Sequence, residues 1–269
     1  VKAHWKANMN AEQILNWTAH GLIFFLIAVW PVFFAKYIGT IGLILIALSF
    51  FNVLGTLFGY ITAKSGFPTI AIVIVAAVIF TSVSDNNKSG EIETAIFDKR
   101  ESLNDNFEKW IKERAEAEDS INVTLVASEG GGLRSAYWTY AVLRKLQLDN
   151  SNFYKQLYAI SGVSGGSLGS VLFCAKQNNG LSDELMKTAI INEDNLSPMI
   201  AALFFREIVQ TVIPVDIECL DRSIVMNQTF VKHWKDKHPD NNLLTNNYLE
   251  LWKQKYRIPA LFINSIHVE

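Results

Sequence analysis

Charge is what the first third of this chain lacks. From Val1 to Ser84 there are four basic residues (Lys2, Lys6, Lys36, Lys64) and one acidic residue, Glu12, out of 24 and 26 in the whole 269-residue chain. The remaining 20 basic and 25 acidic residues follow Ser84, an ordinary globular balance tilted to the acidic side. No basic patch marks nucleic acid as a partner. Cysteine is scarce as well: Cys174 and Cys219 are too few for a disulfide framework and lack metal-ligand spacing, so they read as idle thiols. The Asn-rich tract 240–247 lacks the turn glycine of a Ca²⁺ loop, and no pattern in the chain calls for a metal or a cofactor. No secretory signal is visible: the apolar stretches are too long and have no small-residue cleavage site after them. The opening residue Val1, in place of Met, reads as a fragment or a processed start.

What fills the uncharged third is three runs free of Asp, Glu, Lys and Arg: 13–35, 37–63 and 65–84. Each approaches the roughly 20 residues that carry a helix across about 30 Å of hydrocarbon. They are apolar all round, which suits lipid better than the one-sided burial of a soluble helix. We therefore expect a transmembrane region over residues 1–84, a bundle of about three helices with spans near 19–35, 38–62 and 66–84. Trp30, Tyr37, Tyr60 and Phe67 near the run ends fit the interfacial aromatic belt. The lysines divide almost evenly between the two sides, so charge bias gives no orientation. His20 reads as an interfacial residue without a polar partner.

Residues 85–119 read as a linker and amphipathic helix. Asp85 to Gly90 is polar and turn-rich. Ile92, Ile96, Leu103, Phe107, Trp110 and Ile111 then recur on one helical face. That face either packs on the following domain, which the interspersed acidic residues favour, or lies on a bilayer surface.

The chemistry begins at Ile121–Ser128, an apolar β-branched run of strand type. Glu129-Gly130-Gly131-Gly132-Leu133-Arg134 follows, then a helical pattern from Ser135 to Leu148. Successive glycines expose backbone N–H groups, and at a helix N-terminus such donors hold an anion. Neither nucleotide-loop pattern, GxxxxGK[ST] or GxGxxG, is present, which leaves phosphate binding, an oxyanion hole or a plain turn. A second strand candidate, Leu157–Ser161, leads into Gly162-Val163-Ser164-Gly165-Gly166 and a further helical pattern from Ser167 to Lys176. GxSxG between strand and helix is the pattern of a nucleophile elbow, in which a tight turn lifts a serine hydroxyl off the sheet edge. The five-residue pattern alone arises by chance in about one chain in ten of this length. Its repetition of the strand–glycine–helix arrangement just upstream is what gives it weight.

Together, Glu129-Gly-Gly-Gly-Leu-Arg134 and Gly162-Val-Ser-Gly-Gly166 resemble the patatin-like phospholipase family, and more narrowly bacterial membrane proteins that carry such a domain behind transmembrane helices. The stretch Asp194–Pro214, then Asp221-Arg222 and Trp234, is similar to that subgroup too. The resemblance covers about Ile121 to the end of the chain. It implies a three-layer α/β domain with a mainly parallel central sheet over residues 120–269, acting as a lipid acyl hydrolase through a Ser–Asp dyad. Ser164 then matches the nucleophile, and Gly130, Gly131, Gly132 and Arg134 match the oxyanion loop. Gly162, Gly165 and Gly166 shape the elbow. The implied partners are a bilayer and a membrane lipid or other acyl ester. The implied location is a bacterial inner membrane with the catalytic domain on its cytoplasmic side. Glu129 stands where the family often has Asp, and Ser135 where it often has Gly. The family's Asp lies in an Asp-Gly motif, and no Asp-Gly occurs here, so the resemblance places that base beyond Glu269.

Three other readings compete. His267, with Asp216 or Asp221 as the acid, would make a Ser–His esterase of the α/β-hydrolase type. A chain without any base would be a membrane-bound pseudoenzyme or scaffold. Gly162-Val-Ser-Gly-Gly166 is similar to a serine-protease motif as well, but the only upstream histidines, His4 and His20, lie at the membrane end. His233 and His238 sit in a lysine-rich, surface-like segment. The apolar stretch Met199–Ile213 reads as a core or lid helix, or as one that dips into a membrane.

Overall fold

The structure is a computed structural model that describes residues 10–83, 101–115, 120–179, 182, 193–215, 217–240, 242 and 258–264. The described residues are mostly helical, with a small parallel sheet of three strands and two apolar N-terminal helices. They divide into two compact units that do not follow chain order. One comprises Val1–Glu91 with Asp194–Lys232, the other Ile92–Glu193 with His233–Glu269. Residues 194–232 thus cluster with the apolar helices, although they follow the first part of the α/β unit in the chain.

In the apolar unit, helix α1 (Ala11–Val29) starts at a capping box. The Asn10 side chain accepts from the Gln13 N–H at 2.9 Å, and the Gln13 side chain accepts from the Asn10 N–H at 3.2 Å. The expected first span, 19–35, is displaced toward the N-terminus. The chain breaks at Trp30 (φ −123°, ψ 60°) because Pro31 has no N–H to donate and disfavours helical geometry in the residue before it. Pro31 then opens helix α2 (Pro31–Ser65), where its fixed φ suits a first position. Gly39, at φ 71° and ψ 168°, interrupts α2. The remainder, 40–65, is about 39 Å long at 1.5 Å per residue. It returns antiparallel to α1, with Trp17 beside Tyr60 and Phe24 stacked on Phe50.

Two helices, α1 and α2, are long and apolar enough to cross a membrane. Only 6% and 11% of their most apolar stretches are buried, which is opposite to the burial of a soluble core helix. The third run forms the shorter α3 (Thr69–Val83), with Ile70, Ile72, Ile74 and Ile79 exposed. His20 has a partner after all: its ring nitrogens meet the Asn16 carbonyl at 2.9 Å and the Ser49 hydroxyl at 3.0 Å.

In the α/β unit, helix α4 (Leu103–Ala115) precedes β1 (Thr124–Ser128), α5 (Gly132–Asp149), a single turn α6 (Phe153–Gln156), β2 (Leu157–Val163) and α7 (Gly165–Asn179). The third strand, β3 (Ala260–Asn264), completes the parallel order β1-β2-β3. Trp110 on α4 is 2% exposed and packs on Phe107, Tyr158 and Ala159, so its face meets protein. The Arg114 guanidinium lies 4.1 Å from the Trp110 ring centre and donates to the Lys155 carbonyl. Burial lowers its pKa and raises that of Tyr158.

β2 is the central strand and is buried from Leu157 to Ile160. Leu261-Phe-Ile-Asn reads as a core strand by composition. Among the described residues it is an edge instead, with Phe262 and Ile263 about half exposed. Helices α5 and α7 pack against each other, with Ala136 and Thr139 of α5 close against Gly169 of α7. Leu196–Ala202 (α8), a π-helical turn Leu203–Glu207, Ile208–Gln210 (α9) and Arg222–Lys237 (α10) lie between α7 and β3 in the chain.

Candidate active site

Helices α5 and α7 begin sooner than composition suggests, because glycine starts them. α5 opens at Gly132, three residues before the expected Ser135, and α7 at Gly165. The loop after β1 therefore shrinks to Glu129-Gly130-Gly131, and the turn after β2 to Ser164 alone. With β1 and β2 parallel, both turns fall at the carboxyl ends of their strands, where Ser128 pairs with Gly162.

Ser164 is the sole non-glycine residue with positive φ among the described residues, at 51°. That left-handed geometry costs about 1–2 kcal/mol for a residue with a β-carbon. The surrounding packing enforces it. Gly166 lies so close to the β1 end that an added β-carbon would stand 2.6 Å from the Glu129 carbonyl oxygen. One on Gly165 would collide with the Gly132 carbonyl, and one on Gly162 would stand 2.8 Å from the Ser167 backbone. Gly169, one turn into α7, abuts the Ala136 carbonyl in the same way. The elbow sequence thus needs glycine mainly for backbone approach, since α7 enters directly against α5.

This packing brings the two motifs together. A β-carbon on Gly130 would lie 3.3 Å from Ser164 Cβ and 3.5 Å from the Val163 carbonyl. Ser164 itself is exposed. The N-termini of α5 and α7 both open at this rim, each equivalent to roughly half a positive charge. No side chain caps α5, because its N-cap residue is Gly131 (φ 151°). Its first-turn N–H groups are left to a ligand or to water. An exposed hydroxyl beside uncapped amides is a geometry that can hold a developing oxyanion.

Around this rim a polar frame ties the backbone down. The Ser135 hydroxyl donates to the Glu129 carbonyl and closes the glycine loop. Ser170 donates to the Gly166 carbonyl at 2.8 Å and meets Ser128 at 3.2 Å. The Asn264 Nδ2 group donates to Ser161 Oγ at 2.9 Å and to the Gly162 carbonyl at 3.2 Å, binding β3 to the residues just before the elbow. Asn264 was not identifiable as a site residue from sequence. Nothing local separates it from any asparagine at a strand end.

Arg134 is exposed and, with Gly130, Gly131 and Trp138, lines a cavity of about 500 Å³ beside β1 and α5. Ser164 is not among its lining residues, so the cavity flanks the hydroxyl without enclosing it.

No described residue donates to or accepts from the Ser164 hydroxyl. Asp221 caps the start of α10, accepting from the Ser223 N–H at 2.7 Å, and belongs to the apolar unit. His238 lies half-buried against Trp234, with the rings tilted by 44° and their centres 4.6 Å apart, rather than standing free on the surface. Asp216 and His267 lie outside the described residues. Among the described residues no group of three or more His, Cys, Asp or Glu is placed to hold a metal.

The two thiols differ sharply. Cys174 on α7 is 3% exposed, and burial pushes its pKa up to about 12, whereas Cys219 is exposed. Only thiolate reacts with iodoacetamide. Mass spectrometry of the native chain alkylated at pH 8 should therefore show carbamidomethylation at Cys219 and essentially none at Cys174 until the chain is unfolded.

Comparisons of the chain with protein families, curated proteins and solved structures return no match.

Proposed function

We propose that the chain is a membrane-anchored serine acyl hydrolase of the patatin-like type that uses Ser164 to cleave acyl esters of membrane lipids. The observation that carries this reading is the strained, exposed Ser164 beside the Gly130 turn, where an added β-carbon on Gly130 would stand 3.3 Å from Ser164 Cβ. Strain of this kind persists where the surrounding fold over-determines it, and it clusters at catalytic positions.

In the mechanism, the Ser164 hydroxyl attacks the ester carbonyl and its proton passes to a base. The carbonyl oxygen becomes an oxyanion held by N–H groups of the Gly130–Gly132 loop and the α7 N-terminus. Collapse expels the alcohol and leaves an acyl-enzyme, which water then hydrolyses. The base is an Asp outside the described residues, as the resemblance implies. The exposed apolar surfaces of α1 and α2 support residence in a bilayer, where such a substrate lies.

A second reading, a scaffold or binding pseudoenzyme, is favoured by one observation: no described residue stands ready to accept the Ser164 proton. A fluorophosphonate probe separates the two, because it reacts only with an activated serine. The full chain in membranes should be labelled, with the adduct mapping to the peptide that contains Ser164. A chain that stays unlabelled while a control serine hydrolase reacts would favour the scaffold.

A further inference from the structure

The segment Leu196–Gln210 lies in the middle of the sequence that resembles a hydrolase domain, yet its packing belongs to the apolar helices. Ala201 and Phe205, both fully buried, share one cluster with Ile27, Ala35, Leu43 and Ala47. The Phe205 and Phe24 rings lie 5.0 Å apart. Ser197 and Thr40 share a hydrogen bond of 2.8 Å between their hydroxyls.

Arg206 is the decisive residue. Its guanidinium donates to the carbonyls of Ala28 at 2.6 Å, Val29 at 3.0 Å and Cys219 at 2.9 Å. Two of these are at the C-terminal end of α1, where the Pro31 break leaves carbonyls without helical partners and where the helix dipole favours a cation. A cation paired with backbone carbonyls is a form in which arginine is tolerated at membrane depth. The neighbouring Glu207 pairs with Arg222 at 3.3 Å.

We propose that Leu196–Gln210 is a further bilayer-embedded element, seated at the Trp30 end of the α1–α2 hairpin, with lipid as its partner on the open side. The proposal rests on the reading of α1 and α2 as bilayer helices. At 1.5 Å per residue the segment is about 22 Å long, less than the roughly 30 Å of a full crossing, so it enters the bilayer without spanning it. Ser197, Arg206 and Gln210 are buried against protein, as an apolar surrounding requires, and Glu207 is paired with Arg222. Leu196, at 56% exposed, is left facing outward. The chain thus leaves the apolar unit, forms β1 to α7, re-enters it at 194 and leaves again by 233. Catalytic sequence and anchor are interleaved rather than joined by a single leash.

Cutting that leash provides the test. A protease site placed within 85–90 of the full chain allows cleavage in isolated membranes, followed by an alkaline carbonate wash and flotation of the vesicles through a density gradient. Both fragments should float. A C-terminal fragment left at the bottom while the N-terminal fragment floats would overturn the proposal and leave the bilayer reading intact. Both fragments left at the bottom would overturn that reading and the proposal with it. In a background with Cys174 and Cys219 replaced by serine, Thr40→Cys with Ser197→Cys should also form a disulfide that rejoins the cleaved fragments on non-reducing gels. Failure of this pair to crosslink under oxidising conditions would equally count against it.

Discussion

Replacing Gly165 with alanine should lower the stability of the α/β unit by about 3 kcal/mol, at the upper end of overpacking penalties. For a unit of this size that corresponds to a drop on the order of 10 °C in unfolding midpoint. The new methyl group would be driven into the Gly132 carbonyl. A backbone atom cannot rotate away, so relief requires α5 and α7 to separate, and with them Ser164 and the Gly130 turn. Other glycines set the scale. Gly132 has φ 61° but open space around it, so Gly132→Ala should cost only the left-handed penalty, about 1 kcal/mol. Gly55 lies within α2 with nothing near, so Gly55→Ala should be neutral or mildly favourable. Thermal unfolding in detergent micelles, followed by tryptophan fluorescence, should rank Gly165 first, Gly132 second and Gly55 last. Equal effects at Gly165 and Gly55 would mean that the two helix starts do not meet.

Ser164→Ala should abolish ester turnover, lowering kcat by at least about 10⁴-fold, as removal of a covalent nucleophile does. Because the side chain is exposed, stability should change by no more than about 0.5 kcal/mol. Ser164→Gly is the more telling variant. It removes the same hydroxyl and also relieves the positive-φ strain, so it should raise stability, by about 1 kcal/mol, while turnover stays lost. A gain of stability with loss of activity is the signature of strain held for function. If Ser164→Gly destabilises the chain, no strain is held at this position; if Ser164→Ala keeps its turnover, the serine is not the nucleophile.

What could be read from the sequence follows the range of the forces involved. The apolar runs, the strand before each glycine cluster and the placement of Ser164 between β2 and α7 depend on neighbours within a few residues. So does the Trp30–Pro31 break, which the charge-free run concealed: the absence of charge marks hydrocarbon compatibility, whereas Pro31 and Gly39 decide where the helices stop. Contacts distant in sequence left no local mark. The Ser49 partner of His20, 29 residues away, is one case. The Asn264 tie to Ser161, across 103 residues, is another. The membership of 194–232 in the apolar unit was hidden for the same reason, since Ala201 and Phe205 look like any soluble helix face until Leu43 and Ala47 are set against them. Gly169 alone offered a usable sign. It stands three and four residues after Gly166 and Gly165, giving one smooth helix face that could have suggested close packing against another helix.

The central claim is that two glycine turns place one hydroxyl and several peptide amides at the same edge of the sheet, and a structure of the full chain after reaction with a fluorophosphonate tests it most directly. The phosphorus should be bonded to Ser164 Oγ, with its non-bridging oxygen about 3 Å from N–H groups of Gly130–Gly132 or the α7 N-terminus. An adduct on another residue, or a phosphoryl oxygen turned to solvent with those amides unpaired, would contradict the account.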